Sequence, residues 1–192
     1  RCIYQGVHKL PSAHTLTLRR GGGGRPQPVP YWDVRFTQDN PVSHADAQVE
    51  LRERLRESVE LRMIADVPLG AFLSGGVDSS AVVATMAGLS AQPVQTCAIG
   101  FDDPAFNESA FAQQVAERYR TDHHLEVVGS DQFDLIDRLA WLYDEPFADS
   151  SALPTYRVCE MARRHVTVAL SGDGGDESFG GYRRYRMHLG EQ

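Results

Sequence analysis

Cysteine is scarce in this chain. Three occur in 192 residues, at Cys2, Cys97 and Cys159, widely spaced and forming neither a CxxC pair nor a zinc-ligand spacing. That excludes a disulfide framework and a structural zinc site, and it fits a reducing, cytoplasmic setting. Each cysteine is expected to be a small buried hydrophobe rather than a nucleophile. No apolar run approaches the roughly 20 residues that span a bilayer, and the N-terminus carries no signal-peptide pattern, so no membrane partner is expected. Positive charge is also in deficit: 19 Lys and Arg stand against 26 Asp and Glu, a net charge of -7. An acidic surface argues against non-specific binding of nucleic acid. The chain begins at Arg1 rather than Met and is expected to be a fragment of something longer.

What is present reads as a globular chain, 42% hydrophobic and 23% charged, long enough for one domain with a real core. Over residues 1–40, alternating stretches such as His14 to Leu18 predict short antiparallel strands. Gly21 to Gly24 and the proline-rich run Arg25 to Pro30 then make a loop or linker, since glycine is costly to order and proline favours extended chain. A boundary is placed near residue 40, and residues 41–192 form the second part.

From residue 43 helix and strand alternate. Ser43 or Asp46 caps a helix with Leu51, Leu55 and Val59 on one face and the pair Glu50 and Arg54 on its outer side. Leu69 to Leu73 predicts a buried strand, residues 77–89 a helix, and Val94 to Ile99 a strand. Asn107 caps a helix to about Tyr119, and His124 to Val128 is the next strand. Residues 131–143 predict a helix with Leu135, Leu139 and Leu142 along one side and Trp141 in the core beside them. Pro154 suits the first turn of a helix reaching Arg164, and Val166 to Leu170 is the last strand. This alternation implies a parallel sheet covered on both faces, a doubly wound α/β domain. In such folds ligands bind beyond the carboxyl ends of the strands.

Two glycine-rich segments occupy that position. The first runs from Leu73 to Ser80, between a strand and a helix. Gly75 and Gly76 let the backbone turn sharply and approach a ligand. The amides of Val77 to Ser80 open a helix, where unpaired N–H groups and the helix dipole favour an anion, and Ser74, Ser79 and Ser80 add hydroxyls. Asp78 repels a bare phosphate and makes sense if a magnesium ion lies between them. The run is neither a Walker A loop, which ends in Gly-Lys-Ser/Thr, nor a GxGxxG fingerprint; the alternative is a turn that merely joins strand to helix. The second segment, Leu170 to Tyr182, sets three carboxylates, Asp173, Asp176 and Glu177, in flexible glycine backbone. Such a cluster holds magnesium or a substrate ammonium, acts as a base, or is a solvated acidic loop.

The run Ser74 to Ser80, SGGVDSS, resembles the SGGxDSS pyrophosphate loop of the N-type ATP pyrophosphatases. That resemblance implies a sheet of the adenine nucleotide alpha hydrolase-like type, binding of the β- and γ-phosphates of ATP, attack at the α-phosphate, and release of pyrophosphate with magnesium. Ser171 to Tyr182, SGDGGDESFGGY, resembles the SGEGxDE-x-FGGY signature of the asparagine synthetase class, which also includes β-lactam synthetases and lasso-peptide cyclases. Asp173 stands where the class commonly has glutamate. The likeness covers nearly the whole chain, with Val67 to Gly70 before the first loop and Ala98 to Phe101 in the strand flanking adenine.

By that resemblance Leu73 and Ile99 would contact the base, and Ser171 and Gly172 the nucleotide. The loop Ser74, Gly75, Gly76, Val77, Asp78, Ser79 and Ser80 would hold the pyrophosphate. Asp78, Asp173 and Asp176 would be the catalytic carboxylates, with Asp78 and Asp176 as magnesium ligands. Asp144 to Pro146 and Asp149 to Ser151 resemble the segment lining the acceptor side, and residues 1–33 the tail of a glutaminase domain. The implied reaction is that of a glutamine-hydrolysing asparagine synthase. Its partners are ATP, Mg2+, aspartate or another carboxylate, and glutamine-derived ammonia from a glutaminase domain, with a homodimer as a possible assembly. Cys2 follows Arg1 and does not match the glutaminase's N-terminal cysteine. The family's synthetase domain continues past residue 192 and supplies a later lysine, so the chain alone is expected to lack full activity.

Competing readings are another adenylating enzyme of the class, acting on a larger acid, and a nucleotide-binding regulatory module without turnover. His123 and His124, adjacent in a strand, would face opposite sides and not share a metal. Tyr182 to Arg186 interleaves aromatics with arginines, which could suggest RNA stacking; in an acidic chain a phosphate-facing or solvated helix start is the better reading.

Overall fold

The computed structural model describes residues 2–21, 25–35, 42–104, 107–129 and 135–190. The boundary expected near residue 40, three of the four linker glycines (22–24) and the start of the helix expected at 131 lie outside the described residues. In the first part, β1 (His14–Thr15) pairs antiparallel with β2 (Val29–Pro30), His14 opposite Pro30. The proline-rich run therefore supplies an extended strand as well as connection.

The second part opens with α1 (His44–Arg62). Ser43 is its cap, the Oγ accepting from the amide of Asp46 at 3.1 Å, and Glu50 takes the guanidinium of Arg54 at 2.8 Å. Only the end of its apolar stripe is in the core: Val59 is buried, Leu55 is half-buried and Leu51 exposed. The chain continues as β3 (Leu69–Phe72), α2 (Val77–Leu89), β4 (Gln95–Phe101), α3 (Ser109–Tyr119) and β5 (Asp122–Val128). Asn107 Oδ1 accepts from the amide of Ser109 at the head of α3. Then follow α4 (Ile136–Tyr143), α5 (Ala152–Ala162), β6 (Val168–Leu170), α6 (Gly175–Phe179) and α7 (Arg183–Gly190).

The four strands of the main sheet are parallel, in the order β5-β4-β3-β6. Successive strands step outward from β3 to β5, and the chain then returns across the sheet to place β6 on the other side of β3. That reversal puts a topological switch point between the carboxyl ends of β3 and β6, where open α/β sheets leave a crevice.

Alternation along the strands divides the core between two faces. Ala71 and Ala98 face α1, α2 and α3, packing with Val59, Val83, Met86, Ala112 and Ala116. Cys97 faces the other way, against Met161 and Ala162 of α5 and Val166, with Phe72, Ile99 and Val158 packed alongside. Helices thus cover both faces, as a doubly wound sheet requires. His123 and His124 fall on opposite faces. The first bonds to Thr96 Oγ1 through Nδ1 at 2.9 Å, and the second stacks on His165 with ring centroids 3.6 Å apart.

Two expectations are corrected. Trp141 is 78% exposed, and Leu142 is exposed as well, whereas Leu135 is buried. At about 100° per residue, Trp141 points more than 90° away from the stripe of Leu135, Leu139 and Leu142, so it cannot share their face. Cysteine burial is also uneven: Cys97 is fully buried, Cys2 half-buried and Cys159 exposed. Cys159 sits one residue past Val158, off the stripe of Val158, Met161 and Ala162 that meets the sheet.

Candidate functional site

Where β3 ends, the amide of Leu73 still donates to Cys97 O at 2.9 Å, and the chain then turns into α2. Three residues make the turn. Gly75 has φ +83°, and a Cβ there would lie 2.6 Å from the amide nitrogen of Ala112, so glycine is required by the approach of α3. Hydroxyls knit the rest: Ser74 Oγ and Ser79 Oγ are 2.9 Å apart, Ser79 Oγ donates to Gly76 O at 3.2 Å, and the amide of Gly76 donates to Ser74 Oγ at 3.3 Å. Gly76 caps α2 without a side chain. The first-turn amides of a helix have no intrahelical acceptor, which leaves Val77, Asp78 and Ser79 with N–H groups at the positive end of a 13-residue helix. The amide of Ser80 is already used, donating to Gly76 O at 3.0 Å.

The second loop leaves β6 at Ser171 and folds directly onto that helix start. A Cβ on Gly172 would stand 2.6 Å from the amide nitrogen of Ser79 and 2.8 Å from the carbonyl carbon of Asp78. Gly174, with φ +94°, turns the chain into α6, and Gly175 lies against the carboxyl of Asp78. The two segments are therefore in backbone contact at the switch point.

Between them lies a cleft of about 830 Å³, within the range of small-ligand and cofactor sites. The first loop contributes Leu73, Ser74, Gly76, Val77, Asp78 and Ser79 to its wall, and β4 adds Ile99 together with Cys97 and Ala98. The second loop brings Ser171, Gly172, Asp173 and Asp176, joined by Glu177 and Tyr182. Gly75 and Ser80, expected in the loop's binding set, do not line the cleft. Gly75 is turned against α3, and the buried Ser80 Oγ has no hydrogen-bond partner among the described residues.

Pro154, Thr155 and Val158 of α5 form a wall that sequence reasoning missed. The spacing of Pro154 and Val158, four apart on one helix face, was the available signal. The stretches Asp144 to Pro146 and Asp149 to Ser151 stand outside the lining. Asp149 accepts from the amide of Ser151, and Glu145 pairs with Lys9.

The cleft carries charge of one sign. Asp78, Asp173, Asp176 and Glu177 line it, and among the described residues no lysine or arginine does. An anionic ligand entering alone meets four carboxylates and needs an accompanying cation. Among the described residues no three His, Cys, Asp or Glu side chains are grouped to hold a metal by themselves. The donor set is nonetheless all oxygen, and magnesium is typically held by one or two carboxylates plus substrate phosphates, so the residues present fit a shared ion. Glu177 is held below the usual carboxylate range, chiefly because the Tyr182 hydroxyl donates to it at 2.6 Å. Tyr182 is pushed up to about 12 by the same bond. Burial, with a smaller contribution from Asp122, pushes the Cys97 thiol up to about 11; it stays a protonated thiol at neutral pH and is no nucleophile.

Residues 50–192 match the family profile described as asparagine synthase. The chain is 48% identical over 164 residues to a putative glutamine-hydrolysing asparagine synthetase 2 of Methanocaldococcus jannaschii, covering 82% of this chain and 31% of that protein. It is 39% identical over 141 residues to the glutamine-hydrolysing asparagine synthetase 1 of Bacillus subtilis, covering 73% and 22%. The chain thus spans a third or less of the length of these relatives. Among solved structures it is similar to an NH3-dependent NAD synthetase from Campylobacter jejuni, at a TM-score of 0.44 and 11% identity, covering 73% of this chain and 61% of that one. With more than half of its residues inside the family profile, the chain belongs to the asparagine synthase family.

Proposed function

We propose that this cleft binds ATP and that, in the full-length protein, a carboxylate substrate attacks the α-phosphate to give an acyl-adenylate and pyrophosphate. The observation that carries this reading is the backbone contact of Gly172 with Ser79 and Asp78. It brings the helix start that favours phosphate and the loop that carries the acids to one crevice. The adenine lies across Leu73 and Ile99, beside Ser171 and Gly172. The β- and γ-phosphates meet the free amides of Val77, Asp78 and Ser79, where the helix dipole favours negative charge. Asp78 and Asp176 hold magnesium, which when bound offsets the negative charge of the phosphates and of the departing pyrophosphate.

In the first step a substrate carboxylate oxygen bonds to the α-phosphorus as the bond to the β-phosphate's bridging oxygen breaks. A carboxylate resists nucleophiles because of its charge; as an adenylate it carries AMP as a leaving group. Ammonia then bonds to the acyl carbon, AMP departs with the C–O electron pair, and the proton lost by the nitrogen goes to a base, for which Asp173 is the candidate. Most of the protein's contribution is positioning and electrostatic stabilisation. Aspartate is the proposed acid and glutamine the proposed source of ammonia.

Nucleotide products distinguish this chemistry from other uses of ATP. The full-length protein with ATP, Mg2+ and aspartate, with glutamine or ammonia, is expected to give AMP and pyrophosphate that depend on the acid. ADP and phosphate would overturn the adenylation reading. ATP binding without turnover on aspartate, but with turnover on another acid, would keep the chemistry and change the substrate.

A further inference from the structure

Glu177 and Tyr182 both line the cleft. The Tyr182 hydroxyl reaches back five residues to Glu177 Oε1, folding its ring over α6. The guanidinium of Arg184 covers that ring, 4.3 Å from its centroid, and lies 5.5 Å from the centroid of Tyr185. On the other side, the amide of Gly181 donates to Asp176 O at 3.0 Å, and the carboxyl of Asp176 fills the space a Cβ on Gly181 would take. Gly175 meets the carboxyl of Asp78. Helix α6 has five residues, far fewer than a helix needs to persist unaided. Its geometry must come from these contacts.

The geometry points to Tyr182 as a positioning residue: its bond to Glu177, braced by Arg184, fixes the α6 turn and so aims Asp176 and Asp78 at the bound nucleotide. This rests on the cleft being the ATP site. Tyr182 acts through Glu177 and the turn. Tyr182→Phe keeps the ring and the Arg184 contact and removes only the hydrogen bond. Glu177→Gln removes the charge and keeps the shape.

Two measurements on the full-length protein and these variants test the assignment. The tightening of ATP binding by Mg2+ is expected to shrink in Tyr182→Phe and in Glu177→Gln, because the turn no longer aims Asp176 and Asp78. Calorimetry with ATP and Mg2+ is expected to show each single variant weakened about tenfold, with unchanged thermal midpoints. The double variant should be no weaker than Tyr182→Phe alone, because each change removes the same charge-assisted bond. A magnesium effect kept in full by both single variants, or single effects that add in the double variant, would overturn the assignment. So would unchanged ATP affinity in Tyr182→Phe when the wild type binds. Absence of ATP binding by the wild type would instead sink the nucleotide reading itself.

Discussion

Gly172→Ala is expected to weaken ATP binding by roughly ten- to a hundredfold, the equivalent of about 1–3 kcal/mol of overpacking. The size of the effect follows from what the new methyl would meet. Both nearest atoms, Ser79 N at 2.6 Å and Asp78 C at 2.8 Å, belong to backbone, so no rotamer change relieves the clash and the two loops must separate. Separation moves the first-turn amides of α2 away from Ser171 and the acids that follow it, which spoils the crevice rather than the core. Gly88→Ala is the control. It lies inside α2 with nothing within 4 Å of the added carbon, and alanine favours the helix by up to about 1 kcal/mol. Isothermal calorimetry of the two variants, with thermal melting to confirm folding, checks the contrast. Equal ATP affinities for Gly172→Ala and wild type would show that the loop contact does not shape the site.

Asp78→Asn is expected to separate nucleotide affinity from its dependence on magnesium. The carboxylate sits in the first turn of α2, at the mouth of an amide cradle that favours phosphate, where a negative charge opposes the ligand. Removing the charge relieves that repulsion, so ATP alone should bind as well as before or better. Tightening of binding by Mg2+ should be lost, and turnover in the full-length protein should fall by about 10²–10³-fold, the scale of losing one preorganised charge-stabilising group. ATP affinity is measured with and without Mg2+ in wild type and variant. An Asp78→Asn protein that keeps the full magnesium effect would remove Asp78 from the ion's ligands.

Much of the element pattern was legible in the residues because local rules and the global fold agree there. Residues 77–89 form α2 with the expected bounds, since a glycine turn starts it and a run of alanine, valine and methionine continues it. Strands β3 and β4 announced themselves as short apolar runs between turns. The two glycine-rich segments were legible as a pair because each follows a strand that ends in a parallel sheet.

What stayed hidden depends on tertiary neighbours. The return of the chain to set β6 beside β3 is a choice of strand order that no local pattern encodes. Gly75 reads as a ligand-facing glycine in isolation, yet its constraint is the backbone of α3. Thr155 and Val158 look like ordinary helix residues until α5 is laid across the ends of β3 and β4. Trp141 is expected in the core beside Leu135, Leu139 and Leu142, while helical phase turns it to solvent.

The central claim is that a carboxylate attacks the α-phosphate of ATP, and oxygen transfer reads that bond directly. The full-length protein is supplied with ATP, Mg2+, ammonia and aspartate labelled with 18O in its side-chain carboxylate, and the AMP and phosphate products are examined by mass spectrometry. The account predicts one 18O atom in the phosphate of AMP, carried across when the acyl–AMP bond is broken at carbon. Label in inorganic phosphate alongside ADP would mean attack at the γ-phosphate, and would contradict it.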